Sequence, residues 1–355
     1  MEKIRVGIMG TGFTVGIAKA HINACEAIED CTVTAMYDVV PGRAKEFAEK
    51  FNLGHIPICN SFEDFFAAVD AVCICTHNSV HIESMEKCLA AGKHVICEKP
   101  LATSLEEAKK ALAFEEKYPD LVKMVVFNYR EKPGIAQIKE YIDQGKLGKI
   151  FLFRYILGGN RIGNANIGLE WRMQKNLSGT GALADFGCHM LELVDYLVDM
   201  GKINQVACFT ETFVKERAHL ESGTPTTVSN DDATVIIAKT DNGCLCSLTA
   251  CRLEVPYECI EICGEGGTLS HVLQNDIITT HFKPFNAAFA SPPEKVKVDE
   301  KHLAMSGHIG ILNEFINCIK TGEKPQRNIE LAYYIQKLLD ALEQSAETKQ
   351  FVEVK

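Results

Sequence analysis

Over the first 127 residues, short runs of consecutive apolar residues alternate with longer stretches in which apolar residues recur every three or four positions. The runs at 4–9, 32–37, 70–75, 94–97 and 123–127 each predict a buried strand. Between them, Ala18, Ala20, Ile22 and Ala24, then Ala44, Phe47, Ala48 and Phe51, fall at helical spacing, and helices are also expected from about Val80 and over 104–118. Ser61 and Asp64 have the spacing of a capping box and open a further short helix. Strands alternating with helices predict a doubly wound parallel sheet. After about residue 130 the alternation stops. A helix is expected over 133–145, a strand over 149–157, a glycine- and asparagine-rich loop over 158–166, and a largely buried helix over 186–198. From 206 to about 298 long alternating strands follow, two of them joined by the hairpin turn Asp241-Asn242-Gly243. Two helices, 307–321 and 329–345, and a strand-like tail close the chain. The expected fold is α/β: an N-terminal doubly wound parallel sheet, residues 1–127, and a C-terminal α+β domain, residues 128–355, on an open, mostly antiparallel sheet.

Composition narrows the function. The 355 residues are 46% hydrophobic and 24% charged, with a net charge of −10 and no basic run, which argues against nucleic acid or anionic membrane as partners. The apolar stretches are strand-sized, far short of the roughly 20 residues of a membrane span. The first residues enter a strand directly and lack signal-peptide form, so the expected compartment is the cytoplasm. Fifteen cysteines, an odd number with no C-x-x-C spacing, read as free thiols packed as small hydrophobes. Cys244, Cys246 and Cys251 have no nearby histidines, and no metal site is expected.

The candidate chemistry gathers at carboxyl ends of the predicted strands, where ligands bind in open parallel sheets. The first strand ends at Gly10-Thr11-Gly12, and Phe13, Thr14 and Gly16 lead into a helix. Strand, glycine turn and helix suit a pyrophosphate, although Gly16 lies one residue later than the G-x-G-x-x-G spacing. Asp38, at the end of the second strand and about the expected 20 residues beyond the glycines, is placed to accept from ribose hydroxyls, which favours NAD over NADP. Thr76, His77, Asn78, His81, Glu98, Lys99 and Asn128 complete this rim as candidate cofactor contacts. His77 and His81 have i, i+4 spacing but no evident third ligand. Lys99 is held on extended chain by the following Pro100 and is also a candidate for the reacting group. In the second half Asp185 and His189, four apart, share one face of the buried helix. Asp185 is a candidate cap for that helix, and the pair is either structural or a general base with its partner.

These motifs together resemble the glucose–fructose oxidoreductase / inositol dehydrogenase (Gfo/Idh/MocA) family. The resemblance rests on the glycine turn followed by His21, on Asp38, Thr76-His77-Asn78-Ser79-Val80-His81, Glu98-Lys99-Pro100, Phe127-Asn128-Tyr129-Arg130, and Asp185-Phe186-Gly187-Cys188-His189. It implies a Rossmann NAD(P)-binding domain followed by a substrate-binding domain whose open sheet forms dimers or tetramers. It further implies oxidation of a hydroxyl on a cyclic polyol, sugar or glycoside. Lys99 then stabilises charge on the reacting oxygen, His189 acts as base and Asp185 assists it. Tyr129, Asn160, Trp171 and Arg172 are candidate substrate contacts beside Lys99, Asp185 and His189. Two further readings are an enzyme that uses tightly held NAD for transient sugar oxidation in glycoside processing, and a non-catalytic NAD-binding regulator.

Overall fold

The structure is a computed structural model that describes residues 2–12, 16–198, 202–220, 222–274, 277–285 and 292–354. It divides into two compact units. Residues 1–128 and 307–336 form the first, and residues 129–306 and 337–355 form the second. The expected two-segment division, broken once after residue 127, differs from this because the helix His308–Thr321 belongs with the N-terminal unit. Its Ile311, Leu312, Phe315 and Ile316 share one core with Ala18, Ile22 and Cys25.

The N-terminal unit is built on five strands: β1 (Ile4–Met9), β2 (Cys31–Tyr37), β3 (Ala71–Ile74), β4 (His94–Cys97) and β5 (Lys123–Val125). All pair parallel, in the order β2-β1-β3-β4-β5. Ile58, which lies outside the strands, adds an isolated parallel bridge to Met36 of β2. The strand order reverses between β1 and β3, the position at which such sheets bind ligands beyond their carboxyl ends. The helices α1 (Ile17–Ala27), α2 (Arg43–Lys50), α3 (Phe62–Ala68), α4 (His81–Ala90) and α5 (Leu105–Lys117) connect the strands. Two start at serine caps: Ser61 accepts from Asp64 N, and Ser104 from Glu107 N. β3 is buried along its whole length, and so is β4 after His94, which is why both read as unbroken apolar runs.

The C-terminal unit carries a nine-stranded sheet. Its strands are β6 (Ile150–Gly158), β7 (Ile203–Glu211), β10 (Ala233–Thr240), β11 (Leu245–Cys251), β12 (Tyr257–Gly264), β13 (Gly267–Gln274), β14 (Ile277–Pro284), β15 (Glu294–Val296) and β16 (Val352–Glu353). The order is β15-β14-β13-β12-β6-β11-β10-β7-β16, and all pairings are antiparallel except β6 with β11. A separate small hairpin joins β8 (Glu216–Ala218) and β9 (Pro225–Thr227). On one face of the large sheet, Phe153, Tyr155, Ile236, Ala238, Leu248, Ile260 and Ile262 are buried. On the other, Ile156, Phe209, Val235, Ile237 and Leu245 are exposed, Phe209 to 71%. None of the fifteen cysteines is bridged. Among the described residues no helix is long and apolar enough to cross a membrane.

Candidate active site

Gly10 ends β1 with φ at 92°, and a Cβ there would stand 2.9 Å from the backbone of Cys75 and Thr76. Only glycine serves where two strand ends come this close. Phe13 and Thr14 lie outside the described residues. Gly16 opens α1 in the left-handed region; among the described residues no side chain caps that helix, and no acid stands in its first turn. A helix N-terminus left this way offers backbone N–H groups and a partial positive charge to an anion. Gly12 faces open space. These features fit a pyrophosphate.

Asp38 is more occupied than a lone ribose acceptor. Its Oδ2 accepts from Thr11 N at 2.8 Å and Thr11 Oγ1 at 2.9 Å, and its Oδ1 accepts from Val40 N at 2.9 Å. Arg43 lies 3.5 Å away. The carboxylate thus ties the glycine turn of β1 to the end of β2, and a ribose hydroxyl would donate to the acceptor capacity that these bonds leave.

His77 precedes a short 3-10 turn, Asn78–Val80, and pairs with Ser79 Oγ at 2.8 Å. Burial, with Arg43 adding to it, lowers its pKa. His81 is fully buried, with Nδ1 2.9 Å from the Pro100 carbonyl and Nε2 3.2 Å from the Thr76 carbonyl. Burial keeps it toward the neutral form despite those carbonyls. It is a tie between two loops of the rim, not one half of a metal pair with His77. Glu98 is likewise turned inward: its Oε1 lies 2.8 Å from His21 Nε2. Burial opposes its charge, but His21 and His308 outweigh burial and hold its pKa well below the usual carboxylate range. Lys99 is half-buried directly after it, and Asn128 is half-buried beyond β5.

In the C-terminal unit His189 is only 3% exposed, and its ring stacks on Tyr129 with centroids 3.8 Å apart and planes 3° apart. Asp185 lies within a π-helical turn, Leu183–Gly187, that runs into the helix Cys188–Leu197. It does not cap the helix as expected. Asp231 does: its carboxylate accepts from Gly181 N at 2.6 Å and Leu183 N at 2.9 Å. A Cβ at Gly181 would meet the Asp231 carbonyl at 1.9 Å, which explains the glycine. Burial raises the pKa of Asp231 despite those bonds.

Two buried ion pairs, missed at the sequence level, hold the Tyr129 segment. Arg130 bonds Glu192 and lies over the Tyr196 ring. Lys132 reaches Glu258 at 2.8 Å, and its ammonium sits 3.4 Å over the Tyr129 ring. Glu258 also accepts from Tyr155 Oη. Trp171 and Arg172 stack, guanidinium to ring at 4.1 Å, and the Arg172 carbonyl is bound by Asn230 and Arg252. Asn160 is exposed in the loop after β6.

Residues 4–125 match the family model described as the oxidoreductase family with NAD-binding Rossmann fold, and residues 135–270 match the GFO/IDH/MocA C-terminal domain. The chain belongs to the Gfo/Idh/MocA oxidoreductase family. Its N-terminal unit is therefore an NAD-binding Rossmann domain, with which the glycine turn and helix start are compatible. Among family members, the levoglucosan dehydrogenase of Pseudarthrobacter phenanthrenivorans is 35% identical over 236 residues, which span 63% of this chain and 57% of that protein. The D-glucoside 3-dehydrogenase of Escherichia coli is 26% identical over 99% of this chain and 97% of its own. A solved levoglucosan dehydrogenase in complex with NADH and L-sorbose superposes with a TM-score of 0.88 at 26% identity, covering 100% of both chains.

Proposed function

We propose that this Gfo/Idh/MocA member oxidises a ring hydroxyl of a cyclic polyol, sugar or glycoside. The observation that carries the reading is His189: a buried imidazole held flat against Tyr129, one helical turn beyond Asp185, in a chain whose other unit is an NAD-binding Rossmann domain. The dehydrogenases of levoglucosan, glucosides and inositols among its relatives support the substrate class.

When bound, NAD supplies the hydride acceptor. His189 takes the hydroxyl proton; its Nδ1 is buried, which leaves Nε2 for the exchange. An imidazole suits this because its ordinary pKa of about 6.5 leaves the base form available at neutral pH. Lys99 donates to the same oxygen and stabilises the negative charge that develops there. Asp185 orients the base or binds a neighbouring hydroxyl. Tyr129, Trp171, Arg172 and Asn160 contribute substrate contacts. The exposed apolar face of the large sheet, centred on Phe209, Val235, Ile237 and Leu245, mediates self-association.

The test is NADH formation, followed by its near-ultraviolet absorbance, on a panel of inositols, hexoses, glycosides and levoglucosan. Lys99→Met and His189→Ala are each expected to lose turnover by about a hundredfold or more while retaining NAD binding. Undiminished turnover in both variants overturns the reading.

A further inference from the structure

Within the N-terminal unit the fold gathers three donors from distant parts of the chain. His21 lies on α1, Glu98 follows β4, and His308 opens the helix His308–Thr321. His21 Nε2 is 2.8 Å from Glu98 Oε1, and His308 Nε2 is 3.7 Å from the same oxygen. One nitrogen from each ring and the carboxylate oxygen all lie within 4.8 Å of one another. The two rings meet edge-to-face, with centroids 4.9 Å apart at 72°. His21 is fully buried and Glu98 nearly so. The Cys75 thiol stands beside His21, and the Asn128 amide lies 3.4 Å from His308 Nδ1.

Direct pairing explains only part of this arrangement. His21 Nε2 and Glu98 Oε1 pair with one another, whereas His21 Nδ1 and His308 Nε2 are buried and make no hydrogen bond. The His308 nitrogen stands at ion-pair distance from Glu98, 3.7 Å, too long for a hydrogen bond, and a bound cation between them would engage both groups directly. Two imidazoles and one carboxylate are the protein ligands of a three-ligand zinc centre. Imidazole also excludes the hard, oxygen-seeking Mg²⁺ and Ca²⁺ as preferred guests. Ligand bonds of about 2.0–2.2 Å require the donors to draw in from their present spread. His308 can supply that movement, because it is the first residue of its helix. Asn128, turned to accept from Nδ1–H, would then orient its ring.

We propose that His21, Glu98 and His308 form a binding site for one borderline divalent transition-metal ion, of the Zn²⁺ or Co²⁺ class. The ion would fasten α1 and the helix His308–Thr321 to the turn that carries Lys99.

The experiment uses the tag-free full-length chain, stripped with chelator and titrated with Co²⁺. One ion per chain is expected, with visible d–d absorption and without thiolate-to-cobalt charge transfer, which separates this site from the fifteen cysteines. His308→Ala is expected to weaken binding about tenfold or more. Glu98→Gln should do the same, and His308→Gln covers the case in which the alanine variant fails to fold. An anomalous difference peak between the three side chains in a Co²⁺-soaked crystal would place the ion. The proposal is overturned if the wild type takes up no stoichiometric Co²⁺ or Zn²⁺, if uptake survives both His308 and Glu98 substitution, or if the spectrum is that of thiolate ligation.

Discussion

Replacing Lys132 by methionine would test how the C-terminal unit supports Tyr129, and its cost can be worked from the structure. Glu258 is 3% exposed, and its cation partner is Lys132, 2.8 Å away. Removing one partner of a buried pair costs about 3–5 kcal/mol, because the other charge is left uncompensated. The carboxylate has an escape, however: it can take up a proton. Protonating a group of ordinary pKa about 4.3 at pH 7 costs about 3.7 kcal/mol, so that figure caps what the uncompensated charge itself can cost the variant. Tyr155 still donates to Glu258, and Lys132 is 28% exposed, so about 2–3 kcal/mol is the expected loss at pH 7. The sign with pH follows. In the wild type, Lys132 and Tyr155 outweigh burial and hold the Glu258 pKa below its ordinary value. Its contribution is therefore present above the unfolded pKa and lost as pH falls through the folded one. In Lys132→Met the folded pKa rises instead, and the carboxylate costs stability as pH climbs above about 4.3. The gap between wild type and variant should shrink steadily from pH 7 to pH 5. Urea unfolding at both pH values, with hydrogen exchange at the β6 and β12 amides to identify the unit that opens, measures it. Adding Glu258→Leu to Lys132→Met should recover part of the loss, offset by the unpaired Tyr155 hydroxyl. A penalty under about 1 kcal/mol, or one equal at the two pH values, would refute the reasoning.

Asp231→Ala removes two bonds from a carboxylate to buried backbone N–H groups, so a loss of about 2–4 kcal/mol is expected, with faster amide exchange at Gly181 and Leu183. Gly10→Ala forces a Cβ against the Thr76 backbone at positive φ; calorimetry should show NAD binding weakened by tenfold or more, with a lower Tm. Thr11→Val deletes one of the two Thr11 donors to Asp38, freeing an acceptor, and a change in the NAD-to-NADP affinity ratio would register it.

The N-terminal unit was legible because its central strands β3 and β4 are buried on both faces and read as continuous apolar runs, and because each strand of the unit alternates with a helix. Gly10, Asp38, Thr76 and Lys99 could be placed at its rim from chain order alone. The helix His308–Thr321 was legible as a helix, but its allegiance was not, since periodicity reports an apolar face and not what covers it. The His77/His81 spacing, for which no third ligand was evident, makes no shared face for a local reason. A 3-10 turn intervenes, so His77 precedes the helix, while the His81 ring is turned inward with both nitrogens facing carbonyls, to one of which the neutral ring donates. Asp185 looked like a cap because capping is read from neighbours, whereas the group that does the capping comes from Asp231, fifty positions beyond the Gly181 amide it binds. The His21, Glu98 and His308 cluster has no local signature, and only the folded chain brings it together.

The cysteines have a practical consequence. Cys73, Cys75 and Cys97 are buried in or beside the central strands of one unit, and Cys208 and Cys246 in the sheet of the other, all as unbridged thiols. A thiol in such a place reacts with an alkylating reagent only when its surroundings open. The native sequence thus carries its own opening sensors in both halves. A mass-resolved time course of alkylation would read which half loosens first, and whether NAD or a sugar slows it, without a single engineered label.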